Sequence, residues 1–290
     1  MDISTKNDAA NAPSEPLLAE AARFRGEPTF PQAVRAYTAA LARFREAPRL
    51  INKLISYESR FRVTGYLLYL DADRELFSAT GGASYKNLHE LCTRRQEVSP
   101  RVLKTTLALL KLTGFVQTVR SRTDGRSKSY RPTERMTGFV RQWLGYAVAS
   151  LDALDPRMKR AALLDGDPTF IERFLVSGGR DHASNTPPAD LMPDFIAFFG
   201  SREGAAAVIL AVMQASFDGT SVPAQAQIAR RFGLSKSQVS NIINEGIRLG
   251  YFAQDATGLL SPTPHLNDSY GRWISIELAF YARHMTPAAA

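Results

Sequence analysis

The strongest constraint on this chain is that it writes one pattern twice. Ser99 and Ser235 each head an apolar helical stripe, and the offset of 136 between them recurs along the block. It carries Val98 to Leu234, Leu103 to Val239, Leu107 to Ile243, Gly114 to Gly250, Phe115 to Tyr251 and Val116 to Phe252. Further on, Pro132-Thr133 answers Pro262-Thr263 after a shorter hairpin. A capped helix, a terminating glycine and an aromatic-led strand in fixed register predict a shared fold for the two blocks.

The segments around these blocks set the expected boundaries. Residues 1–28, rich in Ala, Asn, Ser, Pro and Glu, read as a mobile tail. Residues 29–155 hold N-terminal helices and the first block, with apolar stripes at Val34, Tyr37, Leu41 and Phe44, then at Leu50, Ile51, Leu54 and Ile55. Residues 156–200 read as a helical connector, with Ser177 to Pro193 as the linker. Residues 201–290 hold the second block and an amphipathic helix from about Tyr270 to His284. Within the first block, helices are expected over Phe61 to Asp71 and Ser84 to Arg95, and a hairpin over Gln117 to Thr133 around Asp124-Gly125.

In the second block, Gln227 to Asn244 meets the needs of two short helices crossing steeply. Ala229 is small where the helices approach, Gly233 sits at the turn, and Val239, Ile228, Phe232, Leu234 and Ile242 point inward. Lys236, Ser237, Gln238, Ser240, Asn241 and Asn244 are left on or near the outer face. Such a short polar face suits the base edges and phosphates of a major groove; a solvated helix or a protein-binding module has the same pattern. The first block places Arg101, Lys104 and Thr105 outward on the matching helix. Its hairpin crowds Arg120, Arg122, Arg126, Lys128 and Arg131 around the single Asp124. That much charge on a two-stranded loop can neutralise several phosphates.

The segment Asp124-Gly125-Arg126-Ser127-Lys128-Ser129-Tyr130-Arg131-Pro132-Thr133 resembles the wing and following strand of the multiple-antibiotic-resistance-regulator (MarR) family. The resemblance implies winged helices on a helical dimerisation frame, with Arg126 as the minor-groove contact and Lys104 and Thr105 on the reading helix. The second hairpin has no Lys or Arg between Tyr251 and Leu266. Its unit therefore either binds through its helix alone or holds the assembly together.

Composition narrows the function classes. A length of 290 residues with 44% hydrophobic content suits two domains with packed cores, and a formal net charge of +8 favours a polyanionic partner. The lone Cys92 excludes an internal disulfide and reads as a small buried hydrophobe. No run approaches the ~20 apolar residues of a spanning helix and no secretion signal opens the chain, so a cytoplasmic protein is expected. His89, His182, His265 and His284 lack metal-ligand spacing, and Gly81-Gly82 and Gly178-Gly179, without a phosphate-loop lysine, read as turns. No nucleophile elbow is present, so neither catalysis nor a cofactor is expected.

The fold expected is mainly α with small β-wings, two winged helix-turn-helix units in tandem on a helical frame. The function expected is a sequence-specific regulator of transcription that binds double-stranded DNA. Two other classes remain open: a plasmid-type replication initiator and a protein-interaction adaptor. A small-molecule effector is a further expected partner, since Trp143, Tyr146, Phe170, Phe174, Phe195, Phe198 and Phe199 suit either a pocket wall or plain core. An internal pseudo-dimer is expected, with a homodimer of the chain as the alternative.

Overall fold

A computed structural model describes residues 14–46, 57–77, 82–94, 98–120, 128–200 and 202–287 of the chain. The protein is mainly helical, with two small two-stranded antiparallel sheets. The first half runs α1 (Glu15–Gly26), α2 (Phe30–Arg45), α3 (Glu58–Ala72), α4 (Tyr85–Arg94), α5 (Pro100–Leu112), β1 (Val116–Arg120), β2 (Lys128–Pro132) and α6 (Glu134–Leu154). The second runs α7 (Arg160–Gly166), α8 (Phe170–Ser184), α9 (Pro193–Phe199), α10 (Ala205–Asp218), α11 (Gln225–Phe232), α12 (Lys236–Arg248), β3 (Phe252–Gln254), β4 (Leu260–Pro262) and α13 (Pro264–His284).

The repeat foreseen around Ser99 and Ser235 recurs bond for bond. Ser99 Oγ accepts from the Val102 amide at 3.3 Å, and Ser235 Oγ from the Gln238 amide at 3.1 Å. At the other end, Gly114 (φ +71°) and Gly250 (φ +76°) adopt the left-handed conformation that a β-carbon disfavours. The amides behind them then turn back, Phe115 N to Leu110 O at 2.9 Å and Tyr251 N to Gly246 O at 2.8 Å. Each hairpin pairs its first strand residue with the proline: Val116 opposite Pro132, Phe252 opposite Pro262.

The duplication also reaches upstream of the blocks. Gly26-Glu27-Pro28-Thr29-Phe30 joins α1 to α2, and Gly166-Asp167-Pro168-Thr169-Phe170 joins α7 to α8. Phe30 N bonds Glu27 O at 3.0 Å and Phe170 N bonds Asp167 O at 3.2 Å, and both rings are buried. The paired arms are exchanged between halves. Helix α1 packs on α13 and α7 on α6, while α2 packs on α6 and also on α10, and α8 on α3 and also on α13. Helices α6 and α13 also meet each other. Thr38 on α2 donates to Val34 O at 2.7 Å, so the 2.8 Å contact from Tyr270 on α13 is donated by the tyrosine.

Several expectations are corrected. Residues 15–26, expected within a mobile tail, form α1, because Leu17, Ala21 and Phe24 recur on one face and are buried. The linker expected from Ser177 is the second half of α8, which continues to Ser184 before a 3-10 turn at Pro188–Leu191. Gly178 and Gly179 are therefore not turn glycines. A β-carbon on Gly179 would stand 2.5 Å from the Tyr69 side chain, so the residue is what lets α8 approach α3. The final helix starts at Pro264, not near Tyr270, because Thr263 caps it and Pro264 fills its first turn. The stripe from Leu50 to Ile55 lies outside the described residues.

The core is continuous through both halves. Ala205 to Met213 of α10 are all buried, as a helix enclosed on every side requires. Arg62 of α3 is buried too, and its guanidinium bridges Glu58 at 2.9 Å and Asp190 at 2.5 Å. That tie fixes the 3-10 turn against the first block. Cys92 is buried, as its place in an apolar stripe predicts. No helix among the described residues is long and apolar enough to cross a membrane.

Candidate nucleic-acid interface

Two helices, α5 and α12, hold equivalent positions in the repeated blocks. In the second block the geometry around the crossing is set by a few small residues. Gly233 at φ +67° turns the chain, and Leu234 N closes on Ala229 O at 2.9 Å. Ala229 and Val239 are both buried at the junction, as their sizes foretold. The start of α12 is fixed by a reciprocal cap, in which Gln238 Oε1 accepts from the Ser235 amide at 2.8 Å.

This cap alters the expected reading face. Lys236, Ser237, Asn241 and Asn244 are exposed, as outward positions should be. Gln238 and Ser240 are half-buried, and Gln238 already spends its carbonyl oxygen on the cap. Ser237 Oγ lies 3.0 Å from Ser235 Oγ. The polar face of α12 is therefore carried mainly by Lys236, Asn241 and Asn244. At its far end Arg248 and Arg202 converge on Glu245, at 2.6 and 3.5 Å, and the Arg248 hydrogen bond lowers that carboxyl from its ordinary value.

In the first block Arg101, Lys104 and Thr105 are all exposed on α5. Thr105 donates its hydroxyl to Arg101 O at 2.8 Å, so it keeps acceptor capacity outward. Arg135, which sequence reasoning passed over, donates to Thr113 O at 2.6 Å and lies over the Phe115 ring at 5.0 Å. A cation at the helix C-terminus steadies α5 against its dipole.

Arg120 and Lys128 are exposed, and they are cross-strand partners in the hairpin. Like charges set directly opposite in a sheet destabilise it by roughly 0.2–1 kcal/mol. A polyanion bound alongside removes that repulsion. Arg131 is less available, because it bridges Asp71 at 2.8 Å. Arg122, Arg126 and the expected Asp124-Gly125 turn lie outside the described residues. The second hairpin is short, and Asp255 closes it with bonds from the Thr257 hydroxyl at 2.7 Å and the Leu259 amide at 2.9 Å.

Of the thirteen residues singled out, α5 carries three, the first hairpin two within the described residues, and α12 six. Each set shares one element; the two helices are brought into equivalent roles only by the duplicated frame. Comparison with protein-family models, with curated proteins and with solved structures found no match for this chain.

Proposed function

We propose that this protein is a sequence-specific DNA-binding regulator of transcription, built as two winged helix-turn-helix units fused into one internal pseudo-dimer. The observation that carries the reading is the equivalence of α5 and α12, two capped helices with exposed polar residues in blocks related by exchanged arms. In this reading α5 and α12 enter successive major grooves. The first hairpin, through Arg120 and Lys128, adds backbone and minor-groove contacts. The second unit, without basic residues on its hairpin, reads mainly through Lys236, Asn241 and Asn244. The MarR-like wing segment supports the same reading.

The test is selection of bound duplexes from a random pool, followed by footprinting. A fused pair of reading heads protects two unlike half-sites about one DNA turn, ~34–36 Å, apart. Direct repeats as the selected site would favour an initiator of replication. No duplex binding at low salt would overturn the DNA reading in favour of a protein-interaction role.

A further inference from the structure

A cavity of about 130 Å³ lies where α3, α6, α8 and α13 meet. Its wall is aromatic: Phe61, Trp143, Phe174, Phe280 and Tyr281 all line it. Trp143 stands at the centre of that wall, with ring centroids 5.3 Å from Phe61, 5.6 Å from Tyr281 and 6.2 Å from Phe174. Into the same space comes Glu277 of α13, which hydrogen-bonds Tyr281 and Trp273 and forms no Lys or Arg salt bridge among the described residues. The guanidinium that shares the lining, Arg62, is bound to Glu58 and Asp190.

Size and chemistry together define an occupant. Dry cavities of roughly 150 Å³ accept one benzene ring, so this one suits a single ring or a group of that bulk. An aromatic wall attracts a cation through its ring quadrupoles, and the Glu277 carboxylate supplies the opposite charge. An anionic ligand would meet Glu277 unfavourably. We propose that this cavity binds a compact organic amine in its ammonium form, with Glu277 as its counter-charge and the Trp143 cluster as its wall.

The Glu58 carboxylate of α3 and Tyr37 of α2 lie near enough to act on Glu277, Tyr281 and Trp273 bond it from its own helix, and Arg62 and His182 line the same cavity. Burial and the Glu58 carboxylate push the Glu277 carboxyl up to about 7, while the Tyr281 hydroxyl and Trp273 indole hold it down. Binding of an ammonium group displaces the carboxyl proton. The occupant would touch the first block through α3 and α6 and the second through α13, between the two proposed reading heads. As a regulatory input the site rests on the DNA-binding reading above; as an amine site it does not.

Calorimetry on the full chain with benzylammonium, benzyl alcohol and benzoate tests it without DNA. Benzylammonium should bind at least tenfold more tightly than benzyl alcohol at pH 8, and benzoate should not bind. Its affinity should rise about tenfold from pH 6 to pH 8, as the binding-competent carboxylate fraction grows. Glu277→Gln should lower the amine affinity tenfold or more and leave the alcohol unchanged. Equal binding of the three probes, an amine affinity indifferent to Glu277→Gln, or no binding at all would overturn the site. Saturating benzylammonium should then shift duplex affinity about fivefold or more; an unchanged duplex affinity would overturn the regulatory role alone. Amine binding by a chain that fails to bind any duplex would sink the regulator reading and keep the site.

Discussion

The hydroxyl of Thr133 donates to the carbonyl oxygen of Gly114 at 2.7 Å, and Thr263 makes the same bond to Gly250 at 2.6 Å. Each threonine also closes its hairpin through its amide, at 3.0 Å to Phe115 O and Tyr251 O, and caps the helix that follows. One side chain thus ties together the end of α5 or α12, the hairpin and the helix that follows. Thr263→Ala should cost about 1–2 kcal/mol, the worth of an N-cap, and Thr263→Ser should recover most of it. Chemical denaturation measures this; wild-type stability in the alanine variant would mean that the cap and hairpin closure contribute little.

The packing of α8 on α3 can be tested at Gly179. Gly179→Ala places a β-carbon against the Tyr69 side chain, at 2.5 Å before relaxation. Helix propensity alone would favour alanine by about 1 kcal/mol. Overpacking costs typically 1–3 kcal/mol, so the clash should win and the variant should unfold earlier. A variant more stable than wild type would show that α8 is loosely held on α3.

Much of this architecture was legible because it rests on local chemistry. Ser99, Ser235, Gly114, Gly250 and Gly233 each have one conformational job, and a single residue announces it. The exchange of arms was not legible. Nothing local in Leu17, Ala21 and Phe24 says that their partner is a helix at the opposite end of the chain. The short Gly-Glu-Pro-Thr-Phe and Gly-Asp-Pro-Thr-Phe signals could have revealed the upstream duplication. Gly178 and Gly179 misled for a related reason: a glycine that permits close packing looks, in sequence, like one that permits a turn. On the candidate interface, the outward positions of α5 followed from helical period. Gln238 did not, because the capping bond competes with the outward face for the same side chain.

The first hairpin should contribute sequence-independent affinity. Replacing Arg120 and Lys128 together with Ala removes two cations from one cross-strand pair. Binding should weaken on all duplexes, and the slope of log affinity against log salt should flatten by about one to two units. The hairpin itself should not lose stability, since the replaced pair is repulsive. An unchanged slope would remove the hairpin from the interface.

Asn241 is exposed near the middle of α12, and its amide can both donate to and accept from a base edge. Asn241→Ala should cost about 1–3 kcal/mol on the selected site and little on random duplex. Equal losses on both duplexes would assign the residue to the phosphate backbone instead.

The Glu277 carboxyl gives the fold a pH dependence of definite sign. Its folded value near 7 lies above its ordinary 4.5, so the native state holds a proton that the unfolded chain has released between those limits. Stability from this group is therefore greatest below about pH 4.5, declines as pH rises towards 7, and is flat above. The decline should be on the order of 1–3 kcal/mol, allowing for partial exposure of the side chain. Asp181 acts in the opposite sense: the His284 imidazole at 2.9 Å holds it below its ordinary range, so its contribution is lost only as pH falls through that depressed value. The two are separated by comparing wild type with Glu277→Gln across pH 4 to 8. The variant should lose the decline between 4.5 and 7 and keep the loss at acid pH. Parallel curves for the two proteins would mean that Glu277 titrates as an exposed carboxylate, outside the apolar cavity.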